Sequence, residues 1–172
     1  MARPQAGLSV LELLVVCAIA ALLAGLTLPG ATRWLAEASA ERTLHRLHAA
    51  LARSRHLAVV EGLPVVLCPL DEEGRCDGAW SEGYAIFRDP ERRARLPPGA
   101  APVRVFRGSE ERVVLRAFRS RRYFRFLANG QTDWQNGRFV VCPRAPDVAP
   151  RSLVVQGRTR SWRPPEGDPA CD

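Results

Sequence analysis

No lysine occurs in this chain: all 25 of its basic residues are arginine, set against 18 acidic ones for a net charge of +7. The basic surface is therefore made of planar guanidinium forks, which suit phosphates and carboxylates. Other absences narrow the function. There is no phosphate-binding glycine loop, no Ser-His-Asp order with supporting context and no paired-carboxylate signature, so catalysis is the class to set aside. The four cysteines beyond the first helix, Cys68, Cys76, Cys142 and Cys171, form no close CxxC pair and have no nearby histidine, which argues against zinc. All three histidines, His45, His48 and His56, fall on one proposed helix, where a solvated polar flank is the expected role. No cofactor and no metal are expected. Internal repeats and low-complexity stretches are also lacking.

Charge is missing locally as well. Residues 13–28 carry none, and Glu12 is the single charged side chain between Gly7 and Pro29. A bilayer core takes roughly 20 apolar residues in a helix, so residues 8–28 are long enough to span it. A carboxylate in such a span is costly and calls for a partner. A secretory signal would carry its small-residue cleavage site after the apolar stretch. Here a short leader with Arg3 and Gly7 comes before it.

Gly7, Leu8, Glu12 and Pro29 in this register resemble the type III signal of type IV prepilins and pseudopilins. The resemblance implies that a prepilin peptidase cuts after Gly7 and that the new N-terminus, Leu8, is methylated. Leu8 stands where the family usually has Phe and keeps its apolar character. It also implies that Glu12, the fifth mature residue, meets the N-terminal amine of a neighbouring subunit as helices pack into a filament. Pairing lowers the cost of both charges in lipid. The expected organisation is a cleaved leader (1–7), a membrane and filament-core helix (8–30), its amphipathic continuation (31–62) and a β-rich soluble domain (63–172). The expected location is the bacterial inner membrane, single-pass, with the C-terminal domain in the periplasm.

Four cysteines outside the helix fit an oxidising compartment and two disulfides. Local pairing gives Cys68–Cys76 and Cys142–Cys171. Loop closure assigns them roughly 2.5 and 3.5 kcal/mol if unstrained. Cys17, inside the apolar run, reads as a packing residue.

Leu44, Leu47, Leu51 and Ala58 recur at helical spacing through 41–61, and Gly62 and Pro64 stop that pattern. An irregularity is expected over 25–30. Eight short β-rich runs follow, at 63–68, 84–88, 103–106, 112–116, 123–126, 138–142, 152–156 and 158–162, punctuated by turn residues such as Asn129-Gly130 and Asn136-Gly137. A helix followed by consecutive strands means α+β with antiparallel sheet packed on the helix stripe.

Residues 52–55, 63–69, 76–80 and 83–89, then 126–130, 139–142 and 153–158, taken in order behind the prepilin signal, resemble the GspH/FimT family of minor pilins and pseudopilins. This implies a type IV pilin-like fold, with a long N-terminal helix packed on an antiparallel sheet. Its partners would be other pilins or pseudopilins through the helix.

Gly157-Arg158-Thr159-Arg160 is similar to the GRxR motif of FimT-like minor pilins, which bind DNA in natural transformation. If the segment is extended, a period of two sends Arg158, Arg160 and Trp162 to one face. Guanidiniums and an indole on one ridge suit phosphate contacts with stacking alongside. Arg151 and Arg163 lie near enough in sequence to widen the patch. Between Arg88 and Arg125 stand twelve arginines against four acids. That stretch serves equally as more DNA surface, as a partner for acidic pilins or as a solubilising face. Three functions stay open: a minor pilin binding DNA for competence, an H-type pseudopilin of a type II secretion system, or a structural minor pilin that primes assembly.

Overall fold

The protein is described by a computed structural model, which covers residues 9–109, 111–118, 122–145, 147–156 and 171, without the side chains of 24–29 and 118. It divides into two units, 1–35 and 36–172. A helix, α1 (Val10–Glu61), begins in the first and ends in the second. It is continuous through Pro29, so the irregularity expected there does not interrupt the helical pattern.

In the first unit the side chains from Val10 to Leu23 are solvent-exposed, all uncharged except Glu12 in the first turn. Among the described residues no helix is long and apolar enough to cross a membrane. The expected run was 8–28, and its described side chains end at Leu23, short of the roughly 20 residues a bilayer core needs.

In the second unit α1 buries one stripe: Ala36, Ser39, Ala40, Thr43, Leu44, Leu47, Ala50, Leu51, Ser54 and Ala58. Spacings of three and four residues define an apolar face. Its hydroxyls cost little because they bond back into the helix: Thr43 Oγ1 donates to the Ser39 carbonyl and Ser54 Oγ to that of Ala50, each at 2.8 Å. His45, His48 and His56 lie exposed beside the stripe. Gly62, at φ 67°, provides the left-handed residue that ends the helix, and Pro64 keeps it from resuming.

Seven strands follow: β1 (Val65–Cys68), β2 (Gly83–Arg88), β3 (Arg104–Arg107), β4 (Val113–Phe118), β5 (Phe124–Phe126), β6 (Gly137–Pro143) and β7 (Arg151–Val155). The eighth expected run, 158–162, lies outside the described residues. All pairings are antiparallel, but the strands form two sheets rather than one, ordered β3-β2-β1-β5 and β4-β6-β7. Inner residues of both sheets join the helix stripe in one core. Val65, Leu67, Ile86, Phe124 and Phe126 come from the first sheet, and Val113, Leu115, Phe139, Val141 and Leu153 from the second. Trp80, edge-on to Phe139 at 4.7 Å, packs in the same core.

The first sheet is buried on its other face too. Val66, Cys68 and Phe87 pack there beneath Cys76, Leu70, Ala94 and Leu96 from the connecting loops. The Cys68–Cys76 disulfide fastens one of those loops to β1, and Cys142–Cys171 fastens the C-terminus to β6.

Candidate nucleic-acid interface

An arginine can serve a ligand only if the fold has not already used it, so its neighbours come first. Around the first sheet most guanidiniums are engaged. Arg88, at the end of β2, grips Glu61 at the end of α1 through two 2.6 Å bonds, which hold the Glu61 carboxyl below its usual range. Arg75 bonds Asp71 and Glu73, Arg122 bonds Asp77, and Arg93 pairs with Glu91. Arg95 donates to the Glu73 carbonyl.

Arg125 is the extreme case. Strand alternation sends Phe124 and Phe126 into the main core and Arg125 to the opposite face, beside Val66 of β1. That face is roofed by loops, so Arg125 is 4% exposed and Asp89 2%. Arg125 donates from Nε and Nη2 to Asp89 Oδ2 at 3.1 and 2.9 Å. It also donates from Nη1 to Asp133 Oδ2 at 3.0 Å and from Nη2 to the Arg92 carbonyl at 2.6 Å. Its guanidinium also lies 5.0 Å from the Tyr123 ring centroid. Burial disfavours the charge, but the bonds to Asp89 and Asp133 outweigh it and raise the pKa above the ordinary guanidinium value. Asp89 in turn accepts the Arg93 and Ala94 amides at 2.8 and 3.0 Å, closing a loop whose Arg92 and Ala94 sit at φ 56° and 52°. Of the stretch 88–125, left open between a DNA surface, a partner for acidic pilins and a solubilising face, Arg125 is a buried cross-link and Arg88, Arg93 and Arg122 form exposed ion pairs.

The second sheet differs. Its inner face carries Leu115 and Phe139, so Arg116 and Arg138 occupy the opposite, outer face. Arg116 pairs in register with Val140 and Arg138 with Phe118, which makes the two arginines diagonal neighbours on adjacent strands. Both are exposed. Arg112 and Arg144, linked by a 2.8 Å backbone bond, flank the other end of the sheet, and Arg151 opens β7 beside Val141. All five are exposed and none has an acidic partner among the described residues.

Of the residues proposed for DNA, Arg151 is thus placed on this sheet. Arg158, Arg160, Trp162 and Arg163 lie outside the described residues, as do Gly7, Leu8, Arg119 and Arg121. Among the described residues no group of three or more His, Cys, Asp or Glu could hold a metal. Sequence reasoning overlooked Arg138, although its alternation with Phe139 and Val141 marks it as outward-facing. It also overlooked Trp134, which is 85% exposed.

The model of the family described as "Type II transport protein GspH" matches residues 43–159, more than half of the chain. The chain belongs to the GspH family. Among solved structures it is similar to the type IV minor pilin FimU of Pseudomonas aeruginosa in two crystal forms. One is 20% identical at a TM-score of 0.56 and covers 80% of this chain and 95% of that one. The other is 21% identical at 0.51 and covers 75% and 96%. At that identity the likeness gives the fold, which is type IV pilin-like. Comparison with curated proteins finds no match. This GspH-family chain therefore combines a pilin-like helix-and-sheet domain with an arginine-bearing outer sheet.

Proposed function

We propose that the protein is a minor type IV pilin that binds DNA non-specifically for uptake. In this reading its N-terminal helix spans the inner membrane and packs with other pilins, after cleavage and methylation by a prepilin peptidase. The domain is held on the periplasmic side. It acts by binding and not by catalysis. The observation that carries the reading is the partition of arginines. Acids engage Arg75, Arg88, Arg93, Arg122 and Arg125 around the first sheet, whereas Arg116 and Arg138 on the outer face of the second, with Arg112, Arg144 and Arg151 at its end, have no acidic partner among the described residues. Guanidiniums without an acid are those that can release counterions from a phosphate backbone. The GRTR segment follows β7 after a single residue, Gln156, and extends this arginine supply in sequence.

The test is DNA binding by the full chain in nonionic detergent across a salt series. Each neutralised duplex phosphate contributes about −0.9 to the log–log slope. Arg158→Ala/Arg160→Ala and Arg116→Ala/Arg138→Ala are each expected to weaken binding and flatten that slope. Arg75→Ala, which removes a guanidinium already paired to Asp71 and Glu73, should change neither. No binding at low salt, or equal loss from all three variants, refutes the DNA reading.

A second reading has its own support. The matching family model is that of a type II transport protein, which favours an H-type pseudopilin whose domain meets other pseudopilins or an exported protein. Failure of DNA binding together with loss of protein secretion on deletion would select it.

A further inference from the structure

Trp34 stands out on α1 by where it is exposed. From Ala36 onward the helix buries one stripe, and every large apolar side chain from Leu35 to Leu57 is at least partly covered. Trp34, in the first unit, is 66% exposed. Among the described residues it is the one exposed large apolar side chain on α1 between Leu23 and Val59. A lone surface aromatic is ordinary. Its position along this helix is not: residues 13–32 contain no charged side chain, and Trp34 follows that run after Arg33 alone.

The helix is continuous from Val10 to Glu61, so its rise fixes how far Trp34 stands from the one acid in its apolar half. At 1.5 Å per residue, Trp34 lies about 33 Å beyond Glu12 along the axis. The hydrocarbon core of a bilayer is about 30 Å thick. The carboxylate and the indole therefore bracket one hydrocarbon thickness, and the exposed apolar side chains up to Leu23 fall between them. Each border suits the residue it receives. An indole has an apolar ring and an Nε1–H that donates a hydrogen bond, so it favours the level where lipid carbonyls and phosphates accept one. A carboxylate is costly in hydrocarbon and is best tolerated where a helix end meets the headgroups.

We propose that Trp34 is the interfacial anchor at which α1 leaves the bilayer, its indole seated among the phospholipid carbonyls of the periplasmic leaflet. The proposal rests on the membrane-spanning reading above and adds to it a contact residue, a lipid ligand and a depth. Aromatic anchors of this kind set the position of a helix in the membrane. With Trp34 at one border, Glu12 stands at the other, beside headgroup water, until the amine of a neighbouring subunit meets it.

The experiment uses the full chain reconstituted in phosphatidylcholine vesicles whose acyl chains carry bromine either close to the carbonyls or close to the chain ends. The difference in emission between the wild type and Trp34→Phe isolates the signal of Trp34 from the other tryptophans. That signal is expected to lie at shorter wavelength than an indole in water. Shallow bromines should remove most of it and deep bromines little. Trp34→Phe/Ala31→Trp moves the indole from one exposed position to another about 4.5 Å further into the run, and should raise deep quenching relative to shallow. Equal quenching by the two lipids, or none, in vesicles from which alkaline extraction does not release the protein overturns the proposal and leaves the spanning helix intact. Quenching of the Trp34 signal by aqueous acrylamide as complete as that of a free indole also overturns it and returns the residue to water. Release of the wild type by alkaline extraction removes the spanning reading on which the proposal rests.

Discussion

Asp89→Ala is the substitution whose cost can be worked most fully from the geometry. The wild-type carboxylate accepts four donors: the Arg93 and Ala94 amides and the Nε and Nη2 of Arg125. Deleting it leaves a buried guanidinium with Asp133 and one carbonyl, and two loop amides without their acceptors. Breaking a buried pair from one side costs about 3–5 kcal/mol. That is a large part of the 5–15 kcal/mol that typically separates folded from unfolded. Asp89→Asn should rescue little. Its oxygen can serve one loop amide, but its NH2 then faces the donors of Arg125. A residue that merely closed the loop would be well replaced by Asn, so the Asn variant separates the two roles.

The double variant Asp89→Ala/Arg125→Met sharpens the contrast. Removing the stranded charge along with its partner should recover at least about 1 kcal/mol relative to Asp89→Ala alone. The assay is urea unfolding followed by tryptophan emission, to which Trp80 in the core contributes. A loss below about 1 kcal/mol for Asp89→Ala, or strict additivity in the double variant, would refute the assignment of this pair as the cross-link of the loops.

Tyr84 gives a pH-dependent prediction: its hydroxyl is buried without a hydrogen-bond partner among the described residues, and burial pushes its pKa up to about 12. The unfolded phenol ionises near 10, so between pH 10 and 12 unfolding gains a proton release that the folded state resists. Stability should fall there by up to about 1.4 kcal/mol per pH unit. Tyr84→Phe should remove that slope in alkaline urea titrations and be neutral or stabilising at pH 7, since no native bond is lost. Survival of the slope in the Phe variant would rule Tyr84 out as its source. For assembly, Glu12→Ala should leave leader cleavage unchanged by mass spectrometry and lower recovery of the protein in sheared fibres. Full recovery would count against the pairing role of Glu12.

The sequence shows how far local pattern reaches. The run 63–68 reads as a strand, and Val65–Cys68 is one, with a core on either side that the sequence did not announce. The stripe Leu44, Leu47, Leu51 and Ala58 marks the helix face that enters the core. Short spacing brings Cys68 to Cys76, as the structure has it. What could not be read is whatever depends on long-range covering. Arg125 alternates with two core phenylalanines, so period two assigns it to water. Only the return of the loop after Asp89, 36 residues earlier in sequence, buries it. The division into two sheets has the same origin. No strand announces which neighbour it will pair with, and β4 departs from its sequence neighbours β3 and β5 to join β6.

An all-arginine basic complement also changes what a count of positive charge means. Composition alone makes every arginine equal, and the twelve between Arg88 and Arg125 look like the densest cationic region of the chain. In the fold four of the twelve find carboxylates: Arg88 with Glu61, Arg93 with Glu91, Arg122 with Asp77, Arg125 with Asp89 and Asp133. A paired guanidinium meets a phosphate only by giving up its acid, so its contribution to an anionic ligand is reduced by what it already holds. Arg112 and Arg116 of the same twelve, with Arg138, Arg144 and Arg151, hold no acid among the described residues. Charge available to a ligand is therefore set by the distribution of the 18 acids as much as by the 25 arginines. Those acids engage Arg75, Arg88, Arg93, Arg122 and Arg125 around the first sheet and, among the described residues, none of Arg112, Arg116, Arg138, Arg144 and Arg151 on the second.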